Sequence, residues 1–232
     1  MPLIHGEELS AGLADLLSHR PRPVPGPPAL PVPGLRTLSP RLQRELRPLS
    51  AVLATRRSVR EFSDEPLPLA DLEFILGHAD HAVRTWWPAG TRQDLGLTVF
   101  AAAFGVAGLP RGIHAVVHGS RPRLLGDPHW LPVLRDSYAA APVLLAVCGD
   151  LPWACSAAGP GYAGLLTAAG ALGHAMWLSA LSIDLAASVY GSPCQELTGT
   201  ARSYAAGLRH LFTIAIGRPV GGAEATGEDE SG

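Results

Sequence analysis

The stretch that decides the fold is Arg56-Arg57-Ser58-Val59-Arg60-Glu61-Phe62, in which three arginines and a serine lie close together. It follows an apolar run from Leu49 to Leu53 and precedes the turn-rich Ser63-Asp64-Glu65-Pro66. Guanidinium groups present paired N–H donors that match phosphate oxygens, and a serine hydroxyl adds a further donor. Basic triplets are common, so the stretch alone favours a solvated charge cluster after a helix. A phosphate-binding segment is the alternative, and the order of the motifs that follow favours it.

Further motifs follow this stretch in a fixed order. They are Pro66-Leu67 with Leu69-Ala70-Asp71-Leu72, Ala89-Gly90-Thr91-Arg92, Gly108-Leu109-Pro110-Arg111-Gly112-Ile113, Gly161-Tyr162 with Ala169-Gly170, and Ile216-Gly217-Arg218-Pro219. Taken in this order, they resemble the nitroreductase-like flavoprotein superfamily. Within it, the chain looks like the SagB-type branch, the azoline-oxidising peptide dehydrogenases. The resemblance covers about residues 49–219.

The resemblance implies an FMN cofactor and names the residues that would bind it. The phosphate would be held by the arginine stretch and by the arginine of the last motif. The loop before the first long strand would meet the flavin ring or its ribityl chain, and the turn at Gly191 would lie beside the ring. The implied cofactor-binding residues are Arg56, Arg57, Ser58, Arg60, Ala89, Gly90, Arg92, Gly191 and Arg218.

The chain departs from the resembled branch where proton transfer is expected. Members of that branch carry an adjacent lysine and tyrosine before the long helix, and Ser156-Ala157 stands there in this sequence. Neither residue can act as a general base near neutral pH. Tyr162 is the replacement candidate because it opens the long helix, and Cys155 is the second candidate. A packing role for Tyr162 is the alternative, and His174 on the same helix is predicted to be a core histidine.

The resemblance implies an α+β sandwich, with a mostly antiparallel sheet flanked by helices. Composition alone also allows a doubly wound fold, but no glycine fingerprint follows a strand, which argues against a dinucleotide-binding unit. Pro142 to Cys148 is a continuous apolar run typical of a central strand buried on both faces. The longest helix is predicted over residues 161–182. Three further helices are predicted: one from Ser39 to Arg47, one that buries Leu49, Val52 and Leu53, and one after Pro68 that buries Leu69, Leu72, Ile75 and Leu76. Further strands are predicted at 95–104, 113–117, 183–190 and 211–216, with a short pairing near Leu124-Leu125. His114 and His118 are predicted to face solvent or the sheet surface.

Three regions differ in composition. Residues 1–48 form a proline-rich arm, because seven prolines between Pro21 and Pro33 prevent regular helix or sheet pairing. Residues 49–219 form the cofactor-binding domain. Residues 220–232 carry Glu224, Glu228 and Asp229 among glycines and are predicted to be a disordered acidic tail.

Composition excludes several classes of function. The net charge of −2 implies no general polyanion-binding surface, so no nucleic-acid partner is predicted. All eighteen basic residues are arginines, which excludes a lysine catalyst or Schiff base. Three cysteines without metal-type spacing predict neither a disulfide framework nor a metal site. Without a signal-like or membrane-spanning pattern, we expect a cytoplasmic protein.

Two classes of function stay open from the sequence. The first is an FMN-dependent oxidoreductase that dehydrogenates azoline rings or other bonds of a ribosomally made peptide, or an NAD(P)H-dependent nitro or quinone reductase on the same scaffold. The second is a degenerate, non-catalytic homologue that binds a precursor peptide or completes a heteromeric biosynthetic complex. The resemblance also implies an intertwined homodimer, which the Ala- and Gly-rich helix at 161–182 favours.

Overall fold

The computed structural model describes residues 46–86, 95–117, 120–156 and 159–220. These residues belong to one compact unit, Thr37–Gly232. Several predicted features lie outside the described residues, namely the proline-rich arm up to residue 45, the helix from Ser39, Ala89, Gly90, Arg92, His118, Ala157 and the acidic tail. The predictions made for them stay predictions.

The described residues contain six helices and a central six-stranded sheet. The helices are α1 Leu49–Thr55, α2 Leu69–Trp86, α3 Leu131–Ser137, α4 Leu151–Ala154, α5 Gly161–Ser182 and α6 Gln195–Tyr204. The strands are β1 Leu67–Pro68, β2 Leu97–Ala103, β3 Val106–Ala107, β4 Gly112–Val116, β5 Arg123–Gly126, β6 Val143–Asp150, β7 Ala186–Tyr190 and β8 Leu208–Gly217. The sheet order is β5-β4-β2-β6-β8-β7, and every neighbouring pair in it is antiparallel. A separate parallel pair joins β1 to β3.

The central strand β6 explains why the domain has helices on both faces. It is apolar at successive positions, so side chains of both pleat faces must be covered. Leu145 and Val147 pack in the cluster with α2 and α5, whereas Leu144 and Ala146 pack in the cluster with α3 and α6. The predicted α+β sandwich is therefore confirmed, with β6 paired to β2 and β8 on its two sides.

Helix α5 begins and ends where the sequence predicts. Its small residues allow a close approach to the sheet, since a Cβ added at Gly173 would lie 2.8 Å from the Phe212 ring. Among the helices that the structure describes, α5 alone is long and apolar enough to span a membrane. Of its most apolar window, 56% is buried inside the protein. That burial is what a core helix requires.

Three of the four residues predicted for the buried face of α2 are buried: Leu72 and Ile75 fully, and Leu76 with 7% exposed. Leu69, at the first position of the helix, is partly buried against the same core. The face of α1 is not as predicted, because α1 contacts α5 and buries only Val52 there. Leu49 and Leu53 are 61% and 49% exposed, so the prediction of a three-residue buried face was wrong for the single chain.

The predictions for His114 and His174 were wrong, and the one for His118 lies outside the described residues. His114 is buried because its strand lies between two others, and its Nε2 donates to the Pro110 carbonyl at 2.9 Å. His174 is exposed. A helix turns about 100° per residue, so the neighbour of sheet-facing Gly173 points away from the sheet.

Candidate functional site

The arginine stretch and the last motif of the chain lie side by side. Phe62 forms an antiparallel bridge with Pro219. The Ser63 N–H donates to the Arg218 carbonyl at 2.9 Å, and the Val220 N–H donates to the Glu61 carbonyl at 3.3 Å. Backbone pairing thus brings Arg218 to the arginine stretch from the far end of the domain.

Arg218 carries a donor that this pairing leaves unsatisfied. Its Nε lies 3.1 Å from Glu65 Oε1, close enough for an ion pair. The N–H is not aligned with that oxygen, so the buried Nε has no hydrogen-bond acceptor among the described residues. A buried N–H without an acceptor costs free energy. An anionic oxygen placed here would satisfy it.

The side chains of the arginine stretch project into solvent. Arg56, Arg57, Ser58 and Arg60 are all exposed. The Arg56 guanidinium lies over the Trp177 ring of α5, 4.8 Å from its centroid. Stacking uses the face of the guanidinium and leaves its edge N–H donors available. Within the described residues the other three side chains have no ion-pair or hydrogen-bond partner, as an anion site requires.

Strand β7 runs from the arginine stretch to the turn at Gly191, which the resemblance places beside the flavin ring. The Val59 N–H donates to the Ala187 carbonyl at 3.2 Å near the start of β7, and Gly191 follows the end of β7. Strand rise places the two ends about 13 Å apart. A Cβ added at Gly191 would meet no atom within 4 Å, so the turn is open at this point. One extended ligand could therefore reach both ends.

An open cleft of about 390 Å³ adjoins the turn after Gly191. It is lined by Val133, Ser137, Tyr138, Ser192, Pro193, Cys194, Gln195 and Glu196. The Tyr138 hydroxyl donates to the Ser192 carbonyl at 2.8 Å, and the Cys194 N–H donates to His210 Nδ1 at 3.1 Å. The end of α3 and the loop leading into α6 therefore define the cleft, and His210 of β8 holds that loop from behind the lining residues.

A sequence model described as the nitroreductase family matches residues 53–221. The chain belongs to the nitroreductase family. Membership supports a flavin-dependent oxidoreductase, and proteins of this family generally bind FMN. No curated protein sequence matches this nitroreductase-family chain.

Solved structures share the fold of this nitroreductase-family protein. A protein of Anabaena variabilis assigned as a nitroreductase aligns with a TM-score of 0.62 and 20% identity, over 74% of this chain and 38% of that chain. A second, from Ralstonia eutropha, aligns with a TM-score of 0.61 and 22% identity, over 82% and 88% of the two chains. B. megaterium NfrA1 aligns with a TM-score of 0.52 and 14% identity, over 75% of this chain and 67% of that chain. This chain thus spans well under two thirds of the Anabaena protein, and likenesses at these identities show the fold alone.

Burial controls the protonation of the groups around the cleft. Burial raises the pKa of the Tyr138 phenol and of the Cys194 thiol, and it raises the pKa of Cys148 beneath them to about 12. Burial also lowers the pKa of His210. The pKa of the exposed Glu196 carboxyl is lowered by its own backbone N–H and then by the Cys194 thiol. Near neutral pH the phenol, thiols and imidazole of the cleft are therefore uncharged.

The two predicted catalytic residues lie on the surface of the chain. Tyr162 is 57% exposed in the first turn of α5. Cys155 is exposed at the C-terminal end of α4, where its backbone N–H bonds the Leu151 carbonyl. Among the described residues, no contact joins either side chain to Arg56 or Arg218. Their catalytic roles stay predictions.

Sequence reasoning missed the side chains that support the site. Trp177 lies under Arg56, and Tyr138 and His210 bond the loop after Gly191 at Ser192 and Cys194. These three side chains belong to no quoted motif, and His210 precedes the strand predicted to start at Leu211. The unusual placement of a histidine before an apolar strand was the one available signal.

Proposed function

We propose that this nitroreductase-family protein is an FMN-dependent oxidoreductase. The observation that carries the proposal is the buried Nε of Arg218, which makes no hydrogen bond although Glu65 lies 3.1 Å away. Arg218 directly follows β8, next to the bridge between Phe62 and Pro219 that brings it beside the exposed arginine stretch. Phosphate is the group that satisfies such donors best, because charge-assisted hydrogen bonds to its oxygens are strong. The residues present therefore fit the phosphate end of FMN.

The chain would hold the cofactor at two places. Arg56, Arg57, Ser58, Arg60 and Arg218 would bind the phosphate. Gly191 would leave room at the ring, where Ala89, Gly90 and Arg92 are proposed to complete the contact. When bound, FMN supplies the two-electron redox chemistry, and the protein supplies binding, orientation and proton transfer.

We further propose that the substrate is an azoline ring, or another oxidisable bond, in a ribosomally made peptide. The resemblance to azoline-oxidising peptide dehydrogenases supports this substrate class. An open, solvent-facing surface at Tyr162 and Cys155 would admit a large substrate. Tyr162 would relay the proton that the substrate loses, and Cys155 is the second candidate for that role.

The assay for this function uses purified full-length protein, added FMN and a thiazoline-bearing peptide. We expect loss of two hydrogens from the peptide, measured by mass spectrometry, with oxygen as the final electron acceptor. Tyr162→Phe is expected to slow turnover by about tenfold, because water reaches this exposed position and replaces part of a general base's usual contribution. Tyr204→Phe, at another partly exposed tyrosine, is the matched control. Turnover indifferent to both Tyr162→Phe and Cys155→Ala would refute the proton-transfer roles.

A second candidate function is reduction of nitroaromatics or quinones by NAD(P)H, and family membership favours it. Flavin reduction by NAD(P)H, without loss of hydrogens from the peptide, would support this reductase function instead. Protein that binds neither FMN nor NAD(P)H but retains the peptide would instead indicate the non-catalytic class.

We propose that the protein acts as a homodimer, as nitroreductases commonly do. Apolar side chains left exposed on α1 and α5 support a covering partner: Leu49, Leu53 and Leu166 are 61%, 49% and 41% exposed. Burying these side chains between two copies would offset the cost of exposing them. Light scattering is expected to give twice the chain mass of 24.2 kDa. A mass of one chain at micromolar concentration would contradict the homodimer.

A further inference from the structure

The loop between β7 and α6 is held by side chains from two other elements. Tyr138, directly after α3, donates its hydroxyl to the Ser192 carbonyl at 2.8 Å. His210 in β8 accepts the Cys194 N–H at Nδ1, at 3.1 Å. The Ser192 carbonyl is thus bonded by a side chain at the end of a helix, and the Cys194 amide by a side chain of the sheet.

Both of these side chains are themselves fixed. The Tyr138 ring lies 5.6 Å from the Tyr190 ring and 6.3 Å from the His210 ring, centroid to centroid. His210 is 6% exposed, and its Nε2 lies 2.9 Å from Thr213 Oγ1. Because Nδ1 must accept from Cys194, the proton sits on Nε2 and is donated to the threonine. The imidazole is therefore held as one neutral tautomer.

The loop is fastened at Ser192 and Cys194 and open at Gly191, where an added Cβ would meet nothing within 4 Å. We propose that Tyr138 and His210 are positioning residues that hold Gly191–Cys194 in one backbone conformation and so set how the flavin ring is held. This inference rests on the proposed function. Preorganising the loop removes part of the ordering cost that cofactor binding would otherwise carry.

The histidine half of this arrangement depends on pH. Only neutral imidazole can accept at Nδ1, and burial keeps the pKa of His210 below its ordinary value. The titratable groups that face it are Tyr138 after α3, Cys194 in the loop and Cys148 on β6, with Glu196 behind the thiol. Burial raises the pKa of the first three, so they stay neutral below pH 8, and Glu196 stays ionised. As the pH falls from neutrality, His210 is therefore the group among them that gains a charge, at its lowered folded pKa.

The sign of the effect follows from linkage. A histidine whose folded pKa is lowered contributes stability that is present above its ordinary pKa of about 6.5 and is lost as the pH falls through the lower, folded value. The hydrogen bond from the Cys194 N–H to His210 is therefore complete at neutral pH and is lost only as the pH falls through the folded pKa of His210, which lies below the ordinary value.

The first experiment measures hydrogen exchange of the segment 191–197 in full-length protein without added FMN. Tyr138→Phe removes one hydroxyl, and His210→Leu removes the Nδ1 acceptor. Each is expected to accelerate exchange about threefold to tenfold, as loss of one hydrogen bond implies. Tyr204→Phe, a tyrosine whose hydroxyl makes no hydrogen bond in the described structure, is the control. His210→Asn places an acceptor near the position of Nδ1 and is expected to restore protection. Unchanged exchange in both Tyr138→Phe and His210→Leu would overturn the proposal.

The second experiment measures FMN affinity and the flavin absorption spectrum of the same variants. Tyr138→Phe is expected to weaken FMN binding about threefold and to shift the spectrum, whereas Tyr204→Phe changes neither. As the pH is lowered from about 7.5 through the folded pKa of His210, wild-type affinity should fall more than that of His210→Asn. Comparing the two proteins cancels titration of the FMN phosphate itself, which occurs near pH 6.

Failure of the proposed FMN function and failure of the positioning role give different results. Wild-type protein that binds no FMN would overturn the proposed function. Wild-type protein that binds FMN, with faster loop exchange in the variants but unchanged affinity and spectrum, would overturn the positioning role alone.

Discussion

Replacing Arg56 and Arg60 with alanine is expected to weaken FMN binding by about 10²–10³-fold. A hydrogen bond to a charged group contributes about 1.5–3 kcal/mol, and exposure to solvent and salt lowers that contribution. Both side chains are exposed, so we take the lower part of the range for each. Fluorescence titration of flavin-free protein with FMN measures the change.

Two controls make this loss specific to the phosphate. Riboflavin lacks the phosphate, so the double variant should bind riboflavin as the wild type does. The variant Arg111→Ala/Arg202→Ala removes the same charge at exposed arginines away from the cluster and should bind FMN normally. An equal loss in that control variant, or a matching loss of riboflavin affinity, would show that the arginine stretch does not bind phosphate.

Gly217→Ala is expected to lower the free energy of unfolding by about 1–3 kcal/mol, a typical cost of overpacking. An added Cβ would lie 2.6 Å from Pro142 Cδ and 3.0 Å from Phe62 Cδ1. Neither atom is the end of a flexible chain, so the strand must shift. Because Phe62 pairs with Pro219, that shift also moves Arg218 away from the arginine stretch. FMN affinity should therefore fall together with the melting temperature.

Gly199→Ala is the matched control for this substitution. A Cβ there would meet no atom within 4 Å, and the residue lies inside α6. Replacing glycine in a helix interior should stabilise the protein by about 0.5–1 kcal/mol. Thermal unfolding monitored by circular dichroism compares the two variants. A Gly217→Ala protein as stable as Gly199→Ala would refute the close approach at Gly217.

The elements with strong local patterns were predicted well. The sequence predicts α5 over 161–182, and the structure has Gly161–Ser182. The continuous apolar run at 142–148 predicts a strand buried on both faces, and β6 is that strand. Both patterns lie within a single segment of chain, so their meaning does not depend on distant residues.

Positions whose burial depends on a distant partner were predicted poorly. Leu49 and Leu53 read as core because they share a helical face, yet α5 covers only Val52. His114 reads as a surface residue because it is polar, yet strands on both sides enclose it. Polarity and spacing describe the residue, whereas exposure depends on what packs against it.

The sequence by itself determined the central strand and the long helix, which follow from periodicity, a local property. It also supplied the ordered motifs whose family resemblance implied the α+β fold. Only the tertiary structure decided that Arg218 pairs beside the arginine stretch with a donor left over, that Trp177 lies beneath Arg56, and that Tyr138 and His210 hold the loop after Gly191. Each of these contacts joins segments far apart in the chain, and such contacts form only when the sheet and its two helical layers bring those segments together.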